Sequence, residues 1–306
     1  MQRAYLSKLM EIAEKDSNVL HLVADSGTGF DEMFQRNFPG QMFNFGIAEE
    51  HMVAAAAGMA TAGKIPFVYT AGAFLAYRSL EFIRDDICFQ NLNVKIVGMG
   101  SGLAWCSLGP THHTTEDISV LRAIPNLKIL SAATPLQVAA CVEEAYRHQG
   151  PVYIRIGMNN EKEYFDEGYQ MTASGQDVMR DGKDVTVFTT GSILEEVMDA
   201  ANVLTESGIS VTVVNVAAVK PFSEEVLLCK RKNTKLFVTV EEHNVQGGLG
   251  SIVAEIMAEH GVEKRLLRIG LHDMFAEGYS NNQKALRKQN HLDAESIAQN
   301  IAEALR

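Results

Sequence analysis

Two stretches of the chain concentrate reactive side-chain types at a spacing that suggests a site. The first is Phe43-Asn44-Phe45-Gly46-Ile47-Ala48-Glu49-Glu50-His51-Met52, an acidic pair in the first turn of an Ala-rich helix entered from an apolar segment. Carboxylates there complement the positive end of the helix dipole, a role that needs no ligand. The small residues from Ala54 to Gly58 suit close helix–helix approach across a subunit interface, or a thin core layer. The second stretch is Gly109-Pro110-Thr111-His112-His113-Thr114-Thr115-Glu116-Asp117, which follows a strand and a Gly-rich loop and precedes a helix. In an α/β sheet this puts His112 and His113 at the carboxyl edge of the strands, where ligands bind. Adjacent His side chains diverge, so a shared metal would need further ligands. A capping loop, with Thr115 at the helix start and one His in solvent, satisfies the same spacing.

Three other signals are weaker. Gly98-Met99-Gly100-Ser101-Gly102 follows a strand but lacks the third, helix-opening Gly of a dinucleotide fingerprint. Gly247-Gly248-Leu249-Gly250 opens a helix and suits either an anion or a tight turn with close packing. Glu241-Glu242-His243 ends a strand without the helical spacing of a metalloprotease site.

The elements that position these residues alternate. Val19 to Ala24, Pro66 to Thr70, Val94 to Met99, Leu127 to Leu130 and Val152 to Ile156 read as buried strands. Between them, Ile47 to Ala62, Phe74 to Phe89 and Pro135 to His148 have helical length and composition. Alternation of this kind predicts a parallel sheet covered on both faces. The pattern lapses in a polar, turn-rich stretch that includes Asp181-Gly182, and a second alternating series runs from Val185 to Ile269. Asp293 is the expected N-cap of a last helix whose Ile297, Ile301 and Leu305 share one face. The fold expected is α/β with two doubly wound domains, at 1–160 and 184–306, joined by a linker at 161–183.

With 306 residues, 46% of them hydrophobic and 21% charged, the chain can bury two cores. Its net charge of −11 repels phosphate backbones, which argues against a nucleic-acid partner. The most lipid-like run, Val53 to Ala62, is too short to span a membrane. The first fifteen residues are broken by charges and do not read as a signal peptide. Cys88, Cys106, Cys141 and Cys229 are far apart, so neither a zinc site nor a disulfide framework is expected, and a cytoplasmic location is.

In their order and content these features resemble the transketolase and 1-deoxyxylulose-5-phosphate synthase group over nearly the whole chain. Gly46-Ile47-Ala48-Glu49 and Gly109-Pro110-Thr111-His112 carry the likeness in the first domain; Thr190-Gly191-Ser192, Glu241-Glu242-His243, Gly247-Gly248-Leu249-Gly250 and Arg268-Ile269-Gly270 through Asp273-Met274-Phe275 carry it in the second. The resemblance implies a pyrimidine-binding domain followed by a transketolase C-terminal domain, and thiamine diphosphate as cofactor. It makes Glu49 the carboxylate that hydrogen-bonds the aminopyrimidine ring, with Ile47, Phe74 and Tyr77 beside it, Phe74 being the stacking aromatic. It makes His112 a catalytic, substrate-contacting group and leaves Arg155 as the candidate grip for a substrate phosphate. Full-length members also carry a diphosphate-binding domain in which a Gly-Asp-Gly sequence and an Asn hold Mg²⁺. No Gly-Asp-Gly occurs here, Leu108 stands where an acidic residue often precedes the Gly-Pro-Thr-His motif, and Met158 stands where relatives often place an Arg. The implied protein is therefore one subunit of a split transketolase. It transfers a two-carbon ketol unit between sugar phosphates, pairs with a separate thiamine diphosphate-domain subunit that holds most of the Mg²⁺, and self-associates as an α2β2 tetramer. The alternatives are the beta chain of a 2-oxoacid dehydrogenase decarboxylase, a deoxyxylulose-phosphate synthase-like enzyme, and a non-catalytic scaffold.

Overall fold

The computed structural model describes residues 1–25 and 29–306. The first domain runs α1 (Gln2–Ala13), β1 (Val19–Val23), α2 (Gly29–Asn37), β2 (Met42–Asn44), α3 (Glu49–Thr61) and β3 (Ile65–Ala71). A π-helical turn (Phe74–Arg78), α4 (Leu80–Phe82) and a second π-helical turn (Ile83–Cys88) follow. The domain closes with β4 (Lys95–Met99), α5 (Asp117–Arg122), β5 (Lys128–Ser131), α6 (Pro135–Arg147) and β6 (Val152–Ile156). The second domain contains β7 (Gln176–Arg180), β8 (Val185–Thr190), α7 (Leu194–Glu206), β9 (Val211–Val216), β10 (Ala218–Lys220), α8 (Glu225–Lys230), β11 (Leu236–Asn244), α9 (Leu249–Glu259), β12 (Arg265–Leu271), α10 (Gln283–Gln289) and α11 (Ala294–Leu305).

Strands β1, β3, β4 and β6 are buried on both faces because helices cover both sides, and the parallel pairing follows from the intervening helices. The first sheet has the order β10-β5-β6-β4-β3-β1-β2 and the second β12-β11-β8-β9-β7. Among the described residues only the edge strands β10 and β7 run antiparallel, to β5 and β9 respectively. From β1 the chain steps outward to β2 and then back across to β3 and β4, so the strand order reverses beside β1. The loops after β2, β3 and β4 open at the carboxyl ends of these strands, where α/β sheets hold ligands.

Several features depart from the sequence reading. The stretch 161–183 holds β7, which hydrogen-bonds to β9 and so belongs to the second sheet. Strand β10 is donated by the second half of the chain to the first sheet, a long-range pairing that local pattern does not encode. The helix expected from Phe74 to Phe89 is wound largely as π turns. The N-cap of α5 is Glu116 rather than Thr115, with no side-chain capping bond. Asp293 does cap α11, accepting from the Ser296 N–H at 3.3 Å. Among the described residues, no helix is long and apolar enough to cross a membrane.

Candidate cofactor and substrate site

Glu49 opens α3 at the carboxyl edge of the sheet, placed by the short loop after β2. Asn44 braces that loop, its Oδ1 accepting from the N–H of Gly46 at 2.9 Å and of Asp25 at 3.1 Å. The Glu49 side chain is only 2% exposed, and its Oε2 accepts from Nη1 of Arg78 at 2.7 Å. Arg78 comes from the π-helical turn after β3, and its guanidinium carbon lies 5.2 Å from the centre of the Phe74 ring. The other neighbour of Phe74 is His112, edge to face at 5.0 Å, and His112 in turn lies 6.0 Å from Trp105. Thr111 Oγ1 holds Nδ1 of His112 at 2.9 Å. One contiguous chain of contacts therefore runs Glu49, Arg78, Phe74, His112, Trp105.

Of the residues named from sequence, Glu49, Phe74 and His112 come together. Tyr77 is committed elsewhere: its hydroxyl donates to Glu116 Oε2 at 2.8 Å and accepts from the Glu116 N–H at 3.0 Å. Burial and the charges of Asp117 and Glu116 push its pKa upward, so it stays a neutral phenol. Ile47 lies on the rim, 76% exposed. Sequence reasoning does not single out Arg78 or Trp105. Arg78 sits one residue past Tyr77, and Trp105 is the only tryptophan of the chain, but neither belongs to a recognisable motif.

The loop between β4 and α5 is closed by backbone pairing: Gly102 and Thr114 exchange N–H to O=C bonds of 3.0 and 2.9 Å. Inside it, Gly100 has φ +77°, and a Cβ there would lie 2.1 Å from Trp105 Nε1, so only Gly lets the indole pack where it does. Gly109 makes a similar allowance for Tyr279 of the second domain, whose ring would lie 2.2 Å from a Cβ. His113 turns inward, buried with neither ring nitrogen hydrogen-bonded. Burial lowers its pKa despite the charges of Glu242 and Glu116, which keeps it neutral.

Arg155, expected as the grip for a substrate phosphate, is buried where the two domains meet. It is 2% exposed, and its Nε donates to both Asp117 oxygens, at 3.2 and 2.9 Å. Its Nη2 donates to the carbonyls of Thr114 at 3.0 Å and Glu242 at 3.2 Å. Burial works to lower its pKa, but Asp117, Tyr153 and Glu242 together raise it. These bonds tie α5, the His112 loop and β11 together through one buried guanidinium. Tyr153 adds a 2.8 Å bond to Asp117. On the second-domain side, Glu242 is buried, and against that burial Arg287, Gln283 and Arg155 together hold its pKa below the usual carboxylate range. Glu241 caps α9, accepting from the N–H of Leu249 at 2.7 Å and of Gly250 at 2.8 Å, yet burial raises its pKa to about 7. The Glu241-Glu242-His243 motif is thus a domain joint, and Gly248 allows the close approach of Glu241. Among the described residues no group of His, Cys, Asp or Glu is arranged to hold a metal ion.

The cluster fits an aminopyrimidine. A planar cation with N–H donors already bridges the Glu49 carboxylate and the face of Phe74, so the pair can receive the edge and face of another planar N–H donor. A buried carboxylate, an aromatic ring and a histidine thus meet at the switch point of a doubly wound sheet, where such sheets hold ligands. The chain belongs to the transketolase family: residues 1–161 match the transketolase pyrimidine binding domain and residues 175–297 the transketolase C-terminal domain. The two domains follow one another in this chain. A putative transketolase C-terminal section from Methanocaldococcus jannaschii is 36% identical over 310 residues, spanning 100% of this chain and 96% of that protein. One of the subunits of an apulose-4-phosphate transketolase from Actinobacillus succinogenes is 37% identical over 295 residues, spanning 95% and 94%. A solved split-gene transketolase, described as an inactive β4 tetramer, matches with a TM-score of 0.91 at 35% identity, covering 99% of this chain and 97% of that one.

Proposed function

We propose that this subunit completes a thiamine diphosphate site only when a separate diphosphate-domain chain docks against it, and that the assembled enzyme moves a two-carbon ketol unit from a ketose to an aldose. The observation that carries this reading is the buried Glu49 set beside Phe74 and His112 at the sheet's switch point. When bound, thiamine diphosphate supplies the electron sink for carbon–carbon cleavage. Glu49 would accept a hydrogen bond from the aminopyrimidine edge, Phe74 would offer its ring face, and Ile47 would line the rim. Tyr77 acts through Glu116, holding the entrance of α5. His112, steadied at Nδ1 by Thr111, turns Nε2 toward a substrate hydroxyl or anion.

The docking surface for the partner follows from what surrounds the cluster. Ile47, Leu108, Phe275 and Tyr279 are exposed apolar side chains around it, the kind of rim that a second chain covers. Ala54 and Ala55 leave a flat strip on the half-buried side of α3, suited to helix–helix contact in self-association into an α2β2 tetramer. Mg²⁺ falls mainly to the partner, because a metal is needed to neutralise the diphosphate. A cytoplasmic setting agrees with the four free cysteines.

Two relatives are named for anionic ketoses, apulose 4-phosphate and 6-deoxy-6-sulfo-D-fructose, so the substrate screen starts with ketoses bearing a terminal phosphate or sulfonate. With Nε and Nη2 of Arg155 engaged by Asp117, Thr114 and Glu242, we assign that anion to His112 and the partner chain. The test is calorimetric titration of thiamine diphosphate with Mg²⁺ into the chain alone and into its mixture with the partner chain. Binding to the mixture only is expected, followed by ketol transfer to an aldose. Tight binding to the lone chain would overturn the shared-site reading. Condensation of pyruvate with glyceraldehyde 3-phosphate, or reduction of a lipoyl domain by 2-oxoacids, would replace transketolase with one of its two enzymatic rivals. Cofactor binding with no turnover of any of these would point to a scaffold.

A further inference from the structure

We infer that Arg78 is a displaceable stand-in for the cofactor's aminopyrimidine ring, occupying both of that ring's contacts until the cofactor arrives. The inference rests on the thiamine diphosphate reading above and concerns how this chain's own residues prepare the site. Its basis is a coincidence of two contacts in one side chain. Arg78 donates from Nη1 to Glu49 Oε2 at 2.7 Å, and the same guanidinium lies over Phe74, 5.2 Å from the ring centre. Carboxylate and aromatic face are the two groups the proposed site offers the pyrimidine, and Arg78 covers both.

The chemistry explains the choice of residue. A carboxylate buried as deeply as Glu49 is costly without a partner, so the chain needs a cation there before any ligand is present. A guanidinium is planar, donates N–H bonds along its edge and stacks on aromatic faces, which are the properties of an aminopyrimidine edge and face. Lysine would supply the charge without the shape. The two partners also differ in freedom: the Glu49 side chain is 2% exposed and held at the head of α3, whereas that of Arg78 is 42% exposed on a π-helical turn and has solvent to swing into. When a ring enters, Arg78 is therefore the group that leaves. Holding Glu49 and Phe74 in their binding geometry until then, it is a positioning residue whose departure becomes a step in cofactor association.

The experiment titrates thiamine diphosphate with Mg²⁺ into the complex of this chain with its partner chain, comparing wild type, Arg78→Met and Arg78→Lys. Affinity is read by calorimetry and association by stopped-flow fluorescence of Trp105, the single tryptophan, which reaches Arg78 through His112 and Phe74. With the stand-in removed, Arg78→Met binds the cofactor about tenfold more tightly, because only the free state loses an interaction. Its association rate rises linearly with cofactor concentration, whereas the wild-type rate levels off at the rate of Arg78 release. Arg78→Lys falls between the two. The lone Arg78→Met chain melts below wild type, while the loaded complexes melt alike. Equal or weaker cofactor binding by Arg78→Met, with wild type binding normally, would show that Arg78 stays on Glu49 in the loaded site and would sink the inference alone. Failure of the wild-type complex to bind cofactor would sink it together with the reading on which it rests.

Discussion

Asp117, Arg155, Glu241, Glu242, His243 and Arg287 lie buried where the two domains meet, each matched by a charge or hydrogen-bond partner from the chain itself. The cluster at the edge of the first sheet is built differently. There Glu49 has one arginine, His112 has one threonine and two ring edges, and the side of the cluster away from the core is open. Both regions collect ionisable groups, yet in one the charges are matched within the chain and in the other the set is incomplete. Incompleteness marks the site, because a saturated buried network has nothing left to offer a ligand, while a half-satisfied one is retained for a partner that comes and goes.

The sharpest way to break this contrast is Glu49→Gln in the assembled enzyme. Turnover should fall about a thousandfold, the scale of a lost proton-handling group, with the near-UV circular dichroism of the lone chain unchanged. Activity within a factor of ten of wild type would place Glu49 among the structural carboxylates. Arg155→Met probes the other side. Removing one partner of a buried pair leaves Asp117 uncompensated, and urea unfolding should lose about 3 to 5 kcal/mol of stability. If stability held and the KM for an anionic ketose rose instead, Arg155 would belong to the substrate site after all.

A subtler probe of the joint is pH. Burial raises the Glu241 pKa to about 7, against the Gly250 and Leu249 N–H groups that lower it, so the folded chain binds a proton there that the unfolded chain gives up near 4.5. The sign follows: this contribution is present below about 4.5 and lost as the pH climbs to about 7, weakening the fold by at most about 3 kcal/mol. His243 and His113, neutral because buried, slope the other way, so the wild type must be compared with Glu241→Gln, in which only the Glu241 slope disappears. Parallel stability curves for the two proteins between pH 4.5 and 7 would show that Glu241 is ionised in the fold at every pH in that window.

What is legible in the sequence, and what is not, divides along the same line. The alternation of apolar runs with helical stretches reports local burial, so β1, β3, β4, β5 and β6 can be read to within a residue or so of their true bounds. Gly46 to Glu49 and Gly109 to His112 are legible because a site's backbone turns demand fixed residue types in a short span. Arg78 and Trp105 have no such span; each takes its place through contacts made across loops after different strands. The surroundings of Arg155 are hidden for the same reason: its partners Asp117, Thr114 and Glu242 lie 38, 41 and 87 residues away, and nothing near it in the chain announces that its Nε and Nη2 are engaged. Strand β10, which crosses from the second half of the chain to pair with β5, is invisible to any reading of local pattern.

The smallest of these effects falls on the open cluster and tests how far its geometry depends on one glycine. At Gly100 the backbone is left-handed, with φ +77°, and an added Cβ would lie 2.1 Å from Trp105 Nε1. Gly100→Ala therefore costs about 1–2 kcal/mol in backbone conformation and forces the indole off the β4 end. Because Trp105 Nε1 is buried without a hydrogen-bond partner, its displacement into water lets it bond to solvent, and the single-tryptophan emission should shift to the red. His112 then loses the ring that backs it, 6.0 Å away, and the KM for the ketose should rise severalfold while the Arg155 joint, held by other contacts, keeps the domains together. An unshifted emission with unchanged KM would mean that the loop has room to spare, and that His112 is oriented by Thr111 and Phe74 alone.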